Sequence, residues 1–148
     1  MRFPVLFLLM TGIVFSLRGQ KESKEKSFYL LVGTYTSSAK SEGIYVFDFN
    51  TETGKCELKS GLAGEENPSY LTVSKDGRHV YSTNEVRKGN ISSFEFDKTT
   101  GELKFMNRVG SGGESPCFVE FDDEDKFLFT GNCHTSPKLF KRLLLFVS

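Results

Sequence analysis

Apolar and polar residues alternate in short runs along most of the chain, and turn-forming residues separate the runs. Residues 67–85 are the clearest case. A β-rich run at 70–73 is followed by Ser-Lys-Asp-Gly at 74–77 and by a second β-rich run at 80–83. An Asp-Gly pair supplies the local hydrogen bond and the left-handed residue of a tight turn. Pro68 precedes the first run, where a missing N–H costs little. The stretch therefore predicts a β-hairpin.

This pattern repeats along the chain. Pro68 corresponds to Pro116 and Asn84 to Asn132, in both cases 48 residues later. The segment 43–54 returns 47 residues later. Repeats of about 40–50 residues that hold four short strands are typical of β-propeller blades. We therefore predict an all-β fold of antiparallel four-stranded blades.

The runs predict nine strands, which is a little over two blades. With the strands of a blade labelled A to D from the centre outward, the first unit supplies B, C and D, the second all four, and the third A and B. The predicted strand segments are 29–34, 44–49, 56–60, 70–73, 80–83, 91–96, 103–109, 115–121 and 127–132.

The topology assigns the connections to two ends of each blade, because every strand reverses the direction of the last. The tight A–B and C–D turns share one end. The longer B–C loops and D–A linkers share the other end and comprise 35–43, 84–90, 132–136, 61–68 and 110–116. Loops carry function where a rigid scaffold positions them. The predicted ligand-side residues are Tyr35, Asn84, Glu85, Arg87 and Asn132.

Composition narrows the function classes. The formal net charge is zero and the repeat region has no basic cluster, so nothing indicates nucleic-acid binding. Three cysteines at wide spacing give neither a disulfide framework nor a zinc pattern. We expect Cys56 and Cys117 to fill blade faces. The acidic run 122–125 aligns with the 75–77 turn and lacks a calcium-loop pattern, so we predict a turn and no metal site.

The two ends of the chain differ from the repeats. Residues 1–19 resemble a signal peptide, with an uncharged apolar run at 3–17, and a membrane anchor is the alternative. The run is shorter than the ~20 residues of a spanning helix, so we expect export to the periplasm or outside the cell, without a membrane span in the mature chain. A cytoplasmic location is the alternative. Residues 20–27 read as a disordered spacer, 28–132 as the partial propeller, and 133–148 as an aberrant or amphipathic tail.

Several motifs, taken in order, resemble one family. They are Val-Gly-Thr-Tyr-Thr (32–36), Gly-Ile-Tyr-Val-Phe (43–47), Asn-Pro-Ser-Tyr-Leu (67–71), Asp-Gly-Arg-His-Val-Tyr (76–81), Asn-Glu (84–85) and Thr-Gly-Glu-Leu (100–103). This order is similar to the opening of the lactonase family of seven-bladed β-propellers, which includes propeller-type 6-phosphogluconolactonases. The resemblance covers about residues 28–132.

The resemblance implies cofactor-free hydrolysis of a sugar lactone. It also implies a His, Arg and Glu set in later blades, so no catalytic residue can be placed on this sequence. Seven blades need roughly 330 residues. We therefore expect a truncated or frame-shifted reading frame whose product is inactive by itself. A non-catalytic propeller that binds a protein or a glycan is the alternative.

Individual side chains have competing interpretations. Glu85 beside Arg87 could form a rim that binds phosphate or carboxylate, or both could be solvated loop residues. Asn84 and Asn132 could face a ligand or hydrogen-bond loop backbone. We expect His79 to be exposed and His134 to lie on the ligand side.

Overall fold

The computed structural model describes residues 27–37 and 40–134, and these residues form nine β-strands and no helix. The strands are β1 (Ser27–Gly33), β2 (Gly43–Asn50), β3 (Cys56–Ala63), β4 (Leu71–Val73), β5 (His79–Asn84), β6 (Asn90–Asp97), β7 (Glu102–Gly110), β8 (Pro116–Phe121) and β9 (Leu128–Asn132). Within these ranges there is accordingly no helix that could cross a membrane. The predicted leader, residues 1–19, lies outside the described residues, as does the tail after residue 134.

The strands form three antiparallel sheets in the predicted order. The first sheet is β1-β2-β3, the second is β4-β5-β6-β7, and the third is β8-β9. The second sheet is therefore a complete A-to-D blade, flanked by parts of two others. A register shift occurs between Val46 and Phe47 in the first sheet and between Ser93 and Phe94 in the second. These shifts are 47 residues apart, so the two sheets have a register irregularity at equivalent positions.

One apolar core lies between the first and second sheets. Its buried members are Ile44, Val46, Val80, Phe94 and Phe96. The Tyr29 ring closes its edge, with its centroid 5.3 Å from that of Phe96 in a perpendicular arrangement. Such aromatic contacts add stability beyond the area that they bury.

A second core lies between the second and third sheets and consists of Tyr81, Ile91, Val119 and Leu128. Tyr81 also packs edge to face on Phe121, with ring centroids 5.0 Å apart. The second sheet is thus covered on both faces, as a blade inside a propeller is.

The predicted turns are confirmed by their hydrogen bonds. Gly77 donates its N–H to the Ser74 carbonyl at 2.8 Å and has φ 66°, a value that favours glycine. In the corresponding turn of the third sheet, Asp122 Oδ1 accepts from the N–H groups of Lys126 and Phe127. The acidic run is therefore built around turn hydrogen bonds.

His79 is not exposed, contrary to the prediction. Only 18% of its side chain is accessible, and its Nδ1 lies 3.9 Å from Asp76 Oδ1. His79 begins β5, and its backbone N–H binds Ser74 Oγ at 3.0 Å. These contacts with the preceding turn accompany the partial burial of His79.

The prediction for the cysteines was also wrong. Cys117 at the start of β8 is bonded to Cys133, just after β9, with Cα atoms 6.1 Å apart. Cys133 had been assigned to the tail, whereas the bond makes it part of the third sheet's hairpin. Wide spacing concealed the pair because antiparallel strands bring the two ends of a hairpin together. Cys56 is free and exposed.

We expect Phe94→Ala to lower the free energy of unfolding by about 3–5 kcal/mol, because Phe94 is fully buried and the change leaves a cavity. Phe28→Ala is the matched control, since 57% of Phe28 is exposed. Urea titration followed by circular dichroism would measure both. Equal losses in the two variants would contradict the assigned core.

Breaking the disulfide should destabilise the β8–β9 hairpin by about 3 kcal/mol, the value expected for a loop of this length. The change is Cys117→Ser with Cys133→Ser, and Cys56→Ser is the control. Thiol titration of the unreduced, denatured chain should find one reactive thiol. Three thiols would contradict the bond.

Candidate functional site

The loops that follow β1 and β5 place Tyr35 and Glu85 at equivalent positions of neighbouring blades. Tyr35 lies two residues after Gly33, and Glu85 lies two residues after Thr83. Gly33 pairs with Ile44 on β2, and Thr83 pairs with Ile91 on β6. Ile44 and Ile91 are equivalent because the segment 43–54 repeats 47 residues later. Because successive sheets stack, these two side chains leave adjacent blades at the predicted ligand-side end.

The two side chains meet there. Tyr35 Oη donates a hydrogen bond to Glu85 Oε2 at 2.7 Å. Ser69, in the linker before β4, donates from Oγ to the same oxygen at 2.6 Å. We call Tyr35, Ser69 and Glu85 the Glu85 cluster. The structure brings Tyr35 and Glu85 together at the loop end, and Ser69 was not among the predicted residues.

One carboxylate oxygen of the half-buried Glu85 has no hydrogen-bond partner among the described residues. Both protein donors occupy Oε2, and Oε1 of Glu85 accepts no hydrogen bond from residues 27–37 or 40–134. The Tyr35 side chain beside it is 49% exposed. A hydroxyl-bearing ligand could therefore donate to Oε1 without displacing either protein donor.

The carboxylate also changes the acidity of its neighbour. The hydrogen bond to Glu85 raises the pKa of Tyr35 above its ordinary value of 10.0, with burial and the charge of Glu85 adding to the shift and the Ser69 hydroxyl opposing it. The phenol thus stays protonated and remains a hydrogen-bond donor across the neutral range.

Asn84 lies beneath the loops rather than among the ligand-facing groups. It is buried, and its Nδ2 donates to Glu65 Oε2 at 2.9 Å and to the Glu66 carbonyl at 3.1 Å. The second contact agrees with the interpretation that Asn84 binds loop backbone. Asn84 therefore supports the D–A linker.

Glu65 is the centre of this buried network, with only 5% of the residue exposed. Arg108 on β7 donates from one terminal nitrogen to both carboxylate oxygens, at 2.8 and 2.9 Å. Ser92 Oγ lies 2.8 Å from Glu65 Oε2 and accepts from Arg108 Nε at 2.9 Å. A buried charge needs such pairing, and removal of one partner would leave the other uncompensated.

Arg87 and Asn132 have other partners. The Arg87 side chain is 90% exposed and its Nε lies 3.7 Å from Glu114 Oε1, so it pairs with the next linker. Asn132 Oδ1 accepts from Ser111 Oγ at 2.9 Å. The hypothesis of a Glu85–Arg87 anion rim therefore gains no support from the contacts of either residue. His134 is exposed.

The 48-residue repeat held a signal for the residues that sequence analysis missed. Advancing Ser69 and Glu85 by one repeat gives Cys117 and Cys133. The hydrogen-bonded pair of the second blade and the disulfide of the third therefore occupy the same two positions. No local pattern marks Glu65, because its partner Arg108 is 43 residues away.

A groove of about 720 Å³ lies at the opposite end of the second sheet, near the tight turns. Charged residues of both signs line it, among them Arg78, Glu95, Lys98 and Glu102. It lies away from the Glu85 cluster and concentrates neither sign of charge. We therefore place the candidate site at the loop end.

Comparison with known proteins identifies the family. The model of the family described as "Lactonase, 7-bladed beta-propeller" matches residues 29–137. The chain belongs to this lactonase family. Its three stacked sheets agree with that assignment, and the predicted resemblance is confirmed.

Two curated relatives of the chain are named 6-phosphogluconolactonase. The chain is 37% identical over 113 residues to a 6-phosphogluconolactonase of Formosa agariphila, covering 74% of this chain and 32% of the relative. It is 37% identical over 105 residues to the Bacillus subtilis 6-phosphogluconolactonase, covering 70% and 30% respectively. The chain thus spans about a third of the length of these curated relatives.

Solved structures agree with the fold. A Bacteroides fragilis protein assigned as a 6-phosphogluconolactonase is 42% identical, with a TM-score of 0.68 over 74% of this chain and 30% of that one. The periplasmic gluconolactonase of Pseudomonas aeruginosa is 29% identical, with a TM-score of 0.65 over 70% and 30%. Both similarities are to lactone hydrolases by name.

We predict that Tyr35 titrates above its ordinary range and that Glu85→Gln moves its pKa back toward 10.0, because the charged acceptor is lost. Absorbance near 295 nm during a pH titration would measure this, with Tyr35→Phe identifying the transition. Since the folded pKa is raised, the associated stabilisation is complete below about pH 10 and is lost as the pH rises through the folded pKa. An unchanged transition in Glu85→Gln would contradict the contact.

Proposed function

We propose that these blades belong to a sugar-lactone hydrolase and that the Glu85 cluster forms part of its substrate-binding rim. The carrying observation is the unpaired Oε1 of Glu85 at the loop end, beside two hydroxyl donors. Family membership and the names of the relatives support lactone hydrolysis.

The chemistry of the cluster suits a polyhydroxylated substrate. A sugar lactone carries several hydroxyl groups, and a carboxylate oxygen is a strong acceptor for them. Tyr35 and Ser69 fix the carboxylate through Oε2, so its other oxygen can bind without reorientation of the side chain. Such prior ordering reduces the entropy cost of binding.

In this proposal the Glu85 cluster binds the sugar lactone and does not take part in the hydrolysis itself. Ring opening requires a base to activate water and donors for the developing oxyanion. The family resemblance implies that a His, Arg and Glu set in later blades supplies these groups.

We further propose that the protein acts outside the cytoplasm. Disulfides persist in oxidising compartments, and Cys117–Cys133 is one such bond. The signal-like residues 1–19 and the similarity to a periplasmic gluconolactonase also support export. A non-phosphorylated sugar lactone is the substrate that fits this location, and the 6-phosphorylated lactone is the alternative substrate.

A chimera tests the proposal. Residues 27–134 of this chain would replace the matching blades of the Formosa agariphila 6-phosphogluconolactonase, and hydrolysis of glucono-δ-lactone and its 6-phosphate would be followed at controlled pH. We expect Glu85→Gln in the chimera to raise KM about tenfold with little change in kcat, since a hydrogen bond to a charged group is lost.

Glu114→Gln is the matched control, because it makes the same change on the same end of the blades, outside the cluster. Equal KM values for Glu85→Gln and Glu114→Gln would contradict the binding role. A folded chimera without lactonase activity would contradict the hydrolase assignment and favour a propeller that binds a protein or a glycan.

A further inference from the structure

We propose that Asn67 is the positioning residue of the Glu85 cluster, because it binds both loops from which Tyr35 and Glu85 project. Asn67 lies in the linker between β3 and β4, and only 6% of it is exposed. The importance of the cluster to lactone binding rests on the proposed function. The positioning itself does not.

On one side, Asn67 holds the loop that carries Tyr35. Its Oδ1 accepts hydrogen bonds from the backbone N–H groups of Thr36 and Ser37, at 2.9 and 3.0 Å. Its own N–H donates to Thr36 Oγ1 at 3.0 Å. These three bonds fix the backbone immediately after Tyr35.

On the other side, Asn67 holds Glu85. The Glu85 N–H donates to the Asn67 carbonyl at 3.0 Å, and Asn67 Nδ2 donates to the Glu85 carbonyl at 3.2 Å. A single residue thus joins the loops of two successive blades. The 2.7 Å contact between Tyr35 and Glu85 forms across the two loops that it joins.

The position requires properties that few residues combine. Its φ is 45°, in the left-handed region, which asparagine tolerates better than most residues. The contacts use a carboxamide as acceptor and donor at once. Glycine would fit the backbone without providing the side chain, and aspartate would lose the donor.

The third blade provides an internal comparison. Ser115 occupies the corresponding position, has φ 51°, and keeps the backbone bond by accepting from the Cys133 N–H at 2.9 Å. Its side chain makes no hydrogen bond within the described residues. There the Cys117–Cys133 bond joins the two positions that a hydrogen bond joins in the second blade. The backbone geometry therefore does not depend on the carboxamide, which is an additional feature of the second blade.

The test uses the full 148-residue chain with Asn67→Gly, which preserves the left-handed backbone and removes only the side chain. We expect the pKa of Tyr35 to fall from its wild-type value most of the way to the value that it has in the Glu85→Gln variant. We also expect the amides of Thr36 and Ser37 to exchange hydrogen at least tenfold faster. Ser115→Gly is the matched control and should change neither quantity.

Asn67→Ser provides a second variant if the glycine variant fails to fold, because Ser115 shows that serine adopts this backbone. A wild-type Tyr35 pKa in a folded Asn67→Gly or Asn67→Ser chain would overturn the proposal. Neither measurement involves a lactone. If Asn67→Gly shifts the pKa while Glu85→Gln leaves KM unchanged, the binding rim fails and the positioning role stands.

Discussion

The structure depends on the burial of both faces of its second sheet. Val80 and Tyr81 are neighbours on β5, and strand geometry points them to opposite faces. Val80 enters the core shared with the first sheet, and Tyr81 enters the core shared with the third. A blade cannot bury its faces alone, so each neighbour stabilises the next. The two cores, rather than any single strand pair, hold the described blades together.

The arrangement of the loops follows from this stacking. Because equivalent strands lie side by side in adjacent sheets, equivalent loops do so as well. Tyr35 and Glu85 meet for that reason, although 50 residues separate them. The same logic operates at the opposite end, where the Lys75 N–H donates to Asp125 Oδ2 of the next blade. A site assembled in this way belongs to the junction between blades.

The sequence predicted most of the fold because its information was local and repeated. Strand alternation, the Asp-Gly turn and the 48-residue offset located all nine strands of the described ranges, with only small differences at their ends. Placement of Tyr35 and Glu85 at the loop end followed from strand direction alone. These features depend on neighbouring residues or on comparison of the chain with itself.

The sequence did not identify side-chain partners that are distant along the chain. Arg87 was considered either as a partner of Glu85 in an anion rim or as a solvated residue, and its 90% exposed side chain pairs with Glu114. Asn84 was one of the predicted ligand-side residues, but its side chain is buried and donates to the Glu66 carbonyl and the Glu65 carboxylate. Side-chain partners depend on tertiary packing, which strand periodicity does not report. The disulfide could have been inferred, but only by extending the repeat alignment to polar positions.

The Cys117–Cys133 bond limits how far β8 and β9 can shift along each other. Its sheet has two described strands, and an isolated pair is marginally stable in water. A slip of two residues between β8 and β9 would keep the apolar side chains on the same face, so the hydrophobic pattern alone would tolerate it. The covalent link would not, because such a slip moves one strand roughly 6–7 Å along the other. The disulfide therefore fixes the register of β8 and β9 that places Val119 and Leu128 in the core with Tyr81.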